Sequence, residues 1–173
     1  MPQKTTTYTI LISCPSDMDE RVGYIKQAIS NFNNSFGKDN KLSLRTLYWK
    51  DDSFAESGGA PQDLLNDQLV ANADLNVAVF WKRFGKKTQN YGSGSEEEIE
   101  NMIRDQKQVF VYFLNKGPAY MSDINGSELA KIRRFKRKYE GKGIYVEVAD
   151  EQQLKERFEH DLEEYFRKKL KKK

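Results

Sequence analysis

Apolar residues along this chain alternate between two rhythms, short dense runs and longer stretches at helical spacing. "TTYTILIS" (Thr6–Ser13) is rich in β-branched residues and closed by Pro15, which predicts a strand. Met18, Val22, Ile25, Ile29 and Phe32 then follow the helical repeat, predicting a helix from a Ser16 cap to about Phe36. After the turn residues Gly37–Asn40, "LSLRTLYW" (Leu42–Trp49) predicts a second strand. Pro61 suits the first turn of a helix to about Asn72, with Leu64, Leu65 and Leu69 facing inward. "LNVAVFW" (Leu75–Trp81) and "QVFVYFL" (Gln108–Leu114) are nearly unbroken apolar runs, as expected of strands buried on both faces. Between them lie a polar loop and a glutamate-rich helix. A further helix over Ser127–Tyr139 stops at Gly141, and "GIYVEV" (Gly143–Val148) reads as the fifth strand. The last helix starts at Asp150, with Gln153 placed to close a capping box. It carries Leu154, Phe158, Leu162, Phe166 and Leu170 on one stripe.

Strands alternating with helices predict an α/β fold: a parallel sheet with right-handed crossovers and helices on both faces. Five such units suggest the flavodoxin-like order 2-1-3-4-5. The 173 residues suit a single domain, with its core over about 6–166 and a basic tail at 167–173. In sheets of this order, ligands bind beyond the carboxyl ends of the strands, between strands one and three. That rule selects two loops, Ser13–Asp17 and Lys82–Ser95.

Composition narrows the chemistry. No apolar run approaches the roughly 20 residues of a membrane span, and "MPQKTTTYTI" lacks the apolar stretch of a signal peptide. Cys14 is the only cysteine, so a reducing cytoplasm is the expected setting. With His160 as the only histidine, a zinc site or a Ser/His/Asp triad is not expected, and no metal site is predicted. Residues 126–173 carry a net +5 and residues 1–125 a net −2. Acidic residues interleave with most of the basic ones, which favours a solvated helix face over a nucleic-acid surface. No glycine-rich dinucleotide fingerprint follows the first strand, which argues against a dehydrogenase.

The stretch "YGSGSEEEIENMI" (Tyr91–Ile103) follows directly from the second selected loop. Ser95-x-x-Glu98 has the spacing of a capping box, with Glu96 and Glu97 in a first turn where the helix dipole favours negative charge. A carboxylate there also lies beside the crevice, where it can face a bound ribose and stabilise positive charge. Spacing alone leaves both readings open.

From Thr9 to Leu114 the chain resembles a TIR domain. "ILISCPSDMDE" is similar to the first strand and following loop of that family. "GGAPQDLLNDQLVANADLNVAVFW" is similar to its second helix and third strand, with an Ala-Asp step before the strand. The likeness is strongest to bacterial TIR-like domains often fused to larger NTPases. It implies cleavage of the nicotinamide–ribose bond of NAD, in antiviral defence or signalling, by a glutamate early in the third helix. Glu98, just before Ile99, matches that position. Nucleoside 2-deoxyribosyltransferases share the architecture and carry Gly-Thr-x-x-Glu, which Gly94-Ser95-Glu96-Glu97-Glu98 resembles; the likeness therefore also allows an enzyme of that kind, or a non-catalytic assembly module. Gly94 and Ser95 stand where many TIR enzymes have a tryptophan, and "KDDSFAESGGA" lacks their Arg-Asp start.

On this reading NAD is a substrate and no cofactor is required. Its nicotinamide leaves neutral, so one carboxylate suffices in a chain without a usable histidine. Trp81 and Trp49, at strand ends, can stack on a base or pack in the core. Lys82 and Arg83 can meet phosphate. Ser13, Cys14 and Ser16 line the first loop, with Cys14 disfavoured as a nucleophile. The resemblance also implies self-association, with "AESGGAP" (residues 55–61) corresponding to an assembly loop in the family.

Overall fold

Residue parity in the strands decides which helices cover which face of the sheet. The computed structural model describes residues 1–172. Its five strands are β1 (Thr6–Ser13), β2 (Leu42–Leu47), β3 (Leu75–Phe80), β4 (Gln108–Leu114) and β5 (Tyr145–Val148). All neighbours are parallel, in the order 2-1-3-4-5. The helices are α1 (Val22–Phe32), α2 (Trp49–Asp52), α3 (Pro61–Gln68), α4 (Gly94–Arg104), α5 (Gly126–Glu140) and α6 (Glu151–Lys171).

Ile10, Ile12, Val77, Val79 and Tyr112 point to one face, where they pack with Ile25, Ile29 and Phe32 of α1 and Leu154, Phe158, Leu162 and Phe166 of α6. Leu11, Ala78, Phe80, Val111 and Phe113 point to the other, against Ile99 and Met102 of α4 and Ile132, Phe135 and Tyr139 of α5. Because side chains alternate along a strand, Ser13 and Asn76 share the α4 face with Leu11 and Ala78, whereas Trp81 belongs to the α1/α6 face. Among the described residues, no helix is long and apolar enough to cross a membrane.

Several boundaries differ from the sequence reading. Pro15 occupies the cap position of the first helical segment, a 3-10 stretch over Ser16–Arg21, and no side chain caps it. Ser16 therefore is not the cap, because the chain enters through a proline and turns more tightly than an α-helix. Before β2, a π-helical turn (Asn33–Gly37) closes α1. β2 ends at Leu47, since Trp49 starts the one-turn α2. α3 stops at Gln68 and continues as a 3-10 turn over Val70–Asn72. β5 starts at Tyr145, with Ile144 before it almost wholly exposed. Asp150 caps α6 by accepting from Gln153 N–H, and Gln153 reaches back to Ala149 N–H. Much of the expected basic tail extends α6, where Lys168, Lys169 and Lys171 complement its carboxyl-end dipole; Lys173 lies outside the described residues.

Candidate functional site

The chain entering α4 is set by a serine, though not the expected one. Ser93 is the N-cap and its Oγ accepts from Glu96 N–H at 3.1 Å. Ser95 lies inside the first turn, and Glu98 does not close a capping box, because starting the helix at Gly94 moves Glu98 one turn inward. One helical turn from its predicted cap, Glu98 faces the end of β1. Ser13 Oγ donates to Glu98 Oε2, and Gln62 Nε2 of α3 donates to Oε1 at 3.4 Å. Asn76, fully buried on β3, donates from Nδ2 to Ser13 Oγ at 2.7 Å. A polar chain thus runs Asn76→Ser13→Glu98 through an otherwise apolar face. Asn76 Oδ1 is buried with no partner among the described residues.

Gly94 makes room for this arrangement, since a Cβ there would collide with the Gln62 side-chain amide. Gly85, at φ +105, lets the loop after β3 turn back against Ser93 and Pro15. Glu98 lies at the wall of a cleft of about 430 Å³, lined also by Cys14, Ser16, Trp49, Gln62, Lys86 and Ser95. This volume is within the range of small-molecule sites. Burial raises the Glu98 carboxyl from 4.5 to about 7; the Ser13 and Gln62 bonds oppose that rise, and nearby Glu97 adds to it. No cation pairs with Glu98 among the described residues, so its charge is held by neutral donors alone. Burial pushes the Cys14 thiol well above its usual range, which leaves it no nucleophile at neutral pH.

The expected site residues divide into two groups. Glu98, Ser13, Cys14, Ser16 and the 40% exposed Trp49 converge on the cleft. Trp81, Lys82 and Arg83 do not line it. Trp81 follows the parity of β3 to the α1/α6 face, donates from Nε1 to Lys116 C=O at 2.7 Å, and carries the Arg21 guanidinium 4.1 Å from its ring centre. Lys82 Nζ also sits over that ring, 4.5 Å from its centre. The Lys82 and Arg83 amides donate to Asp17 Oδ2 at 3.0 and 3.2 Å, which ties together the two loops that the sequence selected. Burial raises the Asp17 pKa, and these two N–H donors counter it.

Gln62, Asn76 and Lys86 were missed. Asn76 had a signal: it is the one polar residue within "LNVAVF". Gln62 and Lys86 had none, because their place in the cleft depends on how α3 and the β3–α4 loop pack. Among the described residues, no group of three or more His, Cys, Asp or Glu side chains is placed to hold a metal.

Comparison with known families places the chain: a model described as Domain of unknown function (DUF4062) matches residues 12–163. The protein belongs to that family. A search of curated proteins finds no match to it.

Proposed function

We propose that this protein is a TIR-like domain that cleaves the N-glycosidic bond of NAD or a related nucleotide through Glu98, in bacterial defence or signalling within the cytoplasm. The supporting observation is the placement of Glu98: a carboxylate without a cation, held by Ser13 and Gln62 at a cleft beyond β1 and β3. In the reaction the bond between C1′ and the nicotinamide nitrogen breaks, and its electron pair leaves with neutral nicotinamide. Glu98, ionised, stabilises the positive charge left on the ribose. Water then adds at C1′ and releases a proton, which a carboxylate with a pKa of about 7 can accept. Trp49 and Ser16 are the cleft residues placed to meet a base or a ribose, and Lys86 is placed to meet phosphate.

One observation favours a second reading. Lys86 is the only cation lining the cleft among the described residues, which suits a nucleoside better than a dinucleotide with two phosphates. A 2-deoxyribosyltransferase-like enzyme would use Glu98 as a nucleophile on the same anomeric carbon. Assembly without turnover is the third outcome.

The test is turnover of NAD and of deoxynucleosides by concentrated protein, followed by mass spectrometry, beside Glu98→Gln. Nicotinamide release by the wild type, reduced about 100-fold or more in a folded variant, is expected. Deoxynucleoside turnover alone would transfer the assignment to the second reading, and retained turnover in Glu98→Gln would remove both. If active sites form between copies, specific activity falls on dilution; a constant value would argue against self-association. The rate is expected to rise through about pH 7 and level above it, since the ionised carboxylate is the working form.

A further inference from the structure

A second cleft, of about 340 Å³, shares no lining residue with the Glu98 cleft. Its base is Phe84 and Phe135, both buried, with ring centres 5.6 Å apart. Around them stand Lys87 from the loop, Glu96 from α4, and Lys131, Arg134 and Lys138 from α5. The spacing 131, 134, 138 puts the three helix cations on one face of α5. Gly92 opens the loop side, where a Cβ would press on the Phe84 ring at 2.9 Å.

The carboxylates nearby neutralise only part of this charge. Lys138 bridges to Glu96 at 3.0 Å and Glu100 at 3.3 Å, and Lys131 to Glu128 at 3.0 Å. Among the described residues, neither Lys87 nor Arg134 has a carboxylate within bridging distance. A solvated charged helix face accounts for the exposed Arg137, while Arg133 lines a different cleft beside Lys116 and Lys136. Such a face does not explain two unpaired cations, both exposed at the rim, that converge with two further lysines on one cleft over a buried aromatic floor, where like charges repel even though water screens them. A small anion placed there would relieve that repulsion and take charge-assisted bonds from both.

We infer that this cleft is a binding site for a small phosphate-bearing molecule, separate from the Glu98 cleft and independent of what Glu98 does. Arg134 would hold the phosphate in fork geometry, Lys87 would close on it from the loop, and a flat base, if present, would lie against the edge of the Phe84–Phe135 pair. The source is an inorganic polyphosphate or a nucleotide, which share this chemistry.

Amide NMR of the whole protein titrated separately with pyrophosphate and with ADP tests the site. Saturable shifts are expected at residues 84–92 and 131–138. Arg134→Ala should weaken them by about tenfold or more, and Glu98→Gln should leave them unchanged. Tighter binding of ADP assigns a nucleotide, and equal or tighter binding of pyrophosphate assigns the phosphate alone. Shifts confined to the Glu98 cleft or to the basic end of α6 would overturn the proposal. So would no saturation below about 10 mM, or an affinity unchanged in Arg134→Ala.

Discussion

Two carboxylates at the carboxyl edge of one sheet, Glu98 and Glu151, receive opposite treatment. Glu151 starts α6 and takes Arg21 Nε at 2.8 Å and Lys116 Nζ at 2.9 Å. Burial works against its charge, but these two cations hold its carboxyl down at about 2. Glu98, on the opposite face, has only a hydroxyl and an amide, and burial carries it to about 7. Desolvation acts on both, so the partners decide the sign. A carboxylate locked by two cations joins α6 to the β1–α1 and β4–α5 connections. One held by neutral donors keeps a charge free for something that enters the cleft.

The largest expected contrast is in activity. Glu98→Gln should lose about 100-fold or more of any turnover, while Glu151→Gln should keep the rate per folded molecule. Comparable losses in both would erase the distinction. In stability the order reverses: Glu151→Gln should cost about 1–3 kcal/mol in urea denaturation at neutral pH, because it leaves Arg21 and Lys116 without their partner. Glu98→Gln keeps the cleft's shape and removes a charge that burial disfavours.

Stability against pH sharpens this further, with opposite signs. The folded pKa of Glu151 is depressed from 4.5, so its contribution is present above about 4.5 and is lost as pH falls towards about 2. The folded pKa of Glu98 is raised from 4.5, so its contribution is full below about 4.5 and is lost as pH rises through about 7. Between about pH 5 and 8 the wild type should therefore lose roughly 2–3 kcal/mol relative to Glu98→Gln. Parallel pH curves for the two proteins would show that Glu98 is not perturbed.

The smallest effect separates the two serines before Glu98. Ser93→Ala should destabilise by about 1 kcal/mol through loss of the α4 cap, and Ser95→Ala by much less. The reverse order in thermal melts would return Glu98 to a capping role.

The sequence reading placed Glu98 at the crevice beyond β1 and β3, and the structure gathers Ser13, Cys14, Ser16 and Trp49 at the same cleft but not Trp81, Lys82 or Arg83. β1 and β4 were legible to the residue because each is a dense apolar run with clear ends. Trp81 was misplaced because it adjoins the right loop in sequence, while its parity turns it to the other face. The helix cap was misplaced by two residues because Ser93 and Ser95 offer the same local chemistry. Only the path of the loop, held by Gly85 against Ser93 and Pro15, chooses between them.

By itself the sequence determined the kinds of element and their order, and with them the parallel 2-1-3-4-5 sheet. Those depend on periodicity within a few residues and on a handedness rule that holds for any such chain. Tertiary structure alone decided the surroundings of Glu98. Ser13 lies 85 residues away in the chain and Gln62 lies 36 away, so no local pattern relates them. The same packing set the two pKa values apart, since desolvation and partner charge exist for these groups only once the chain is folded.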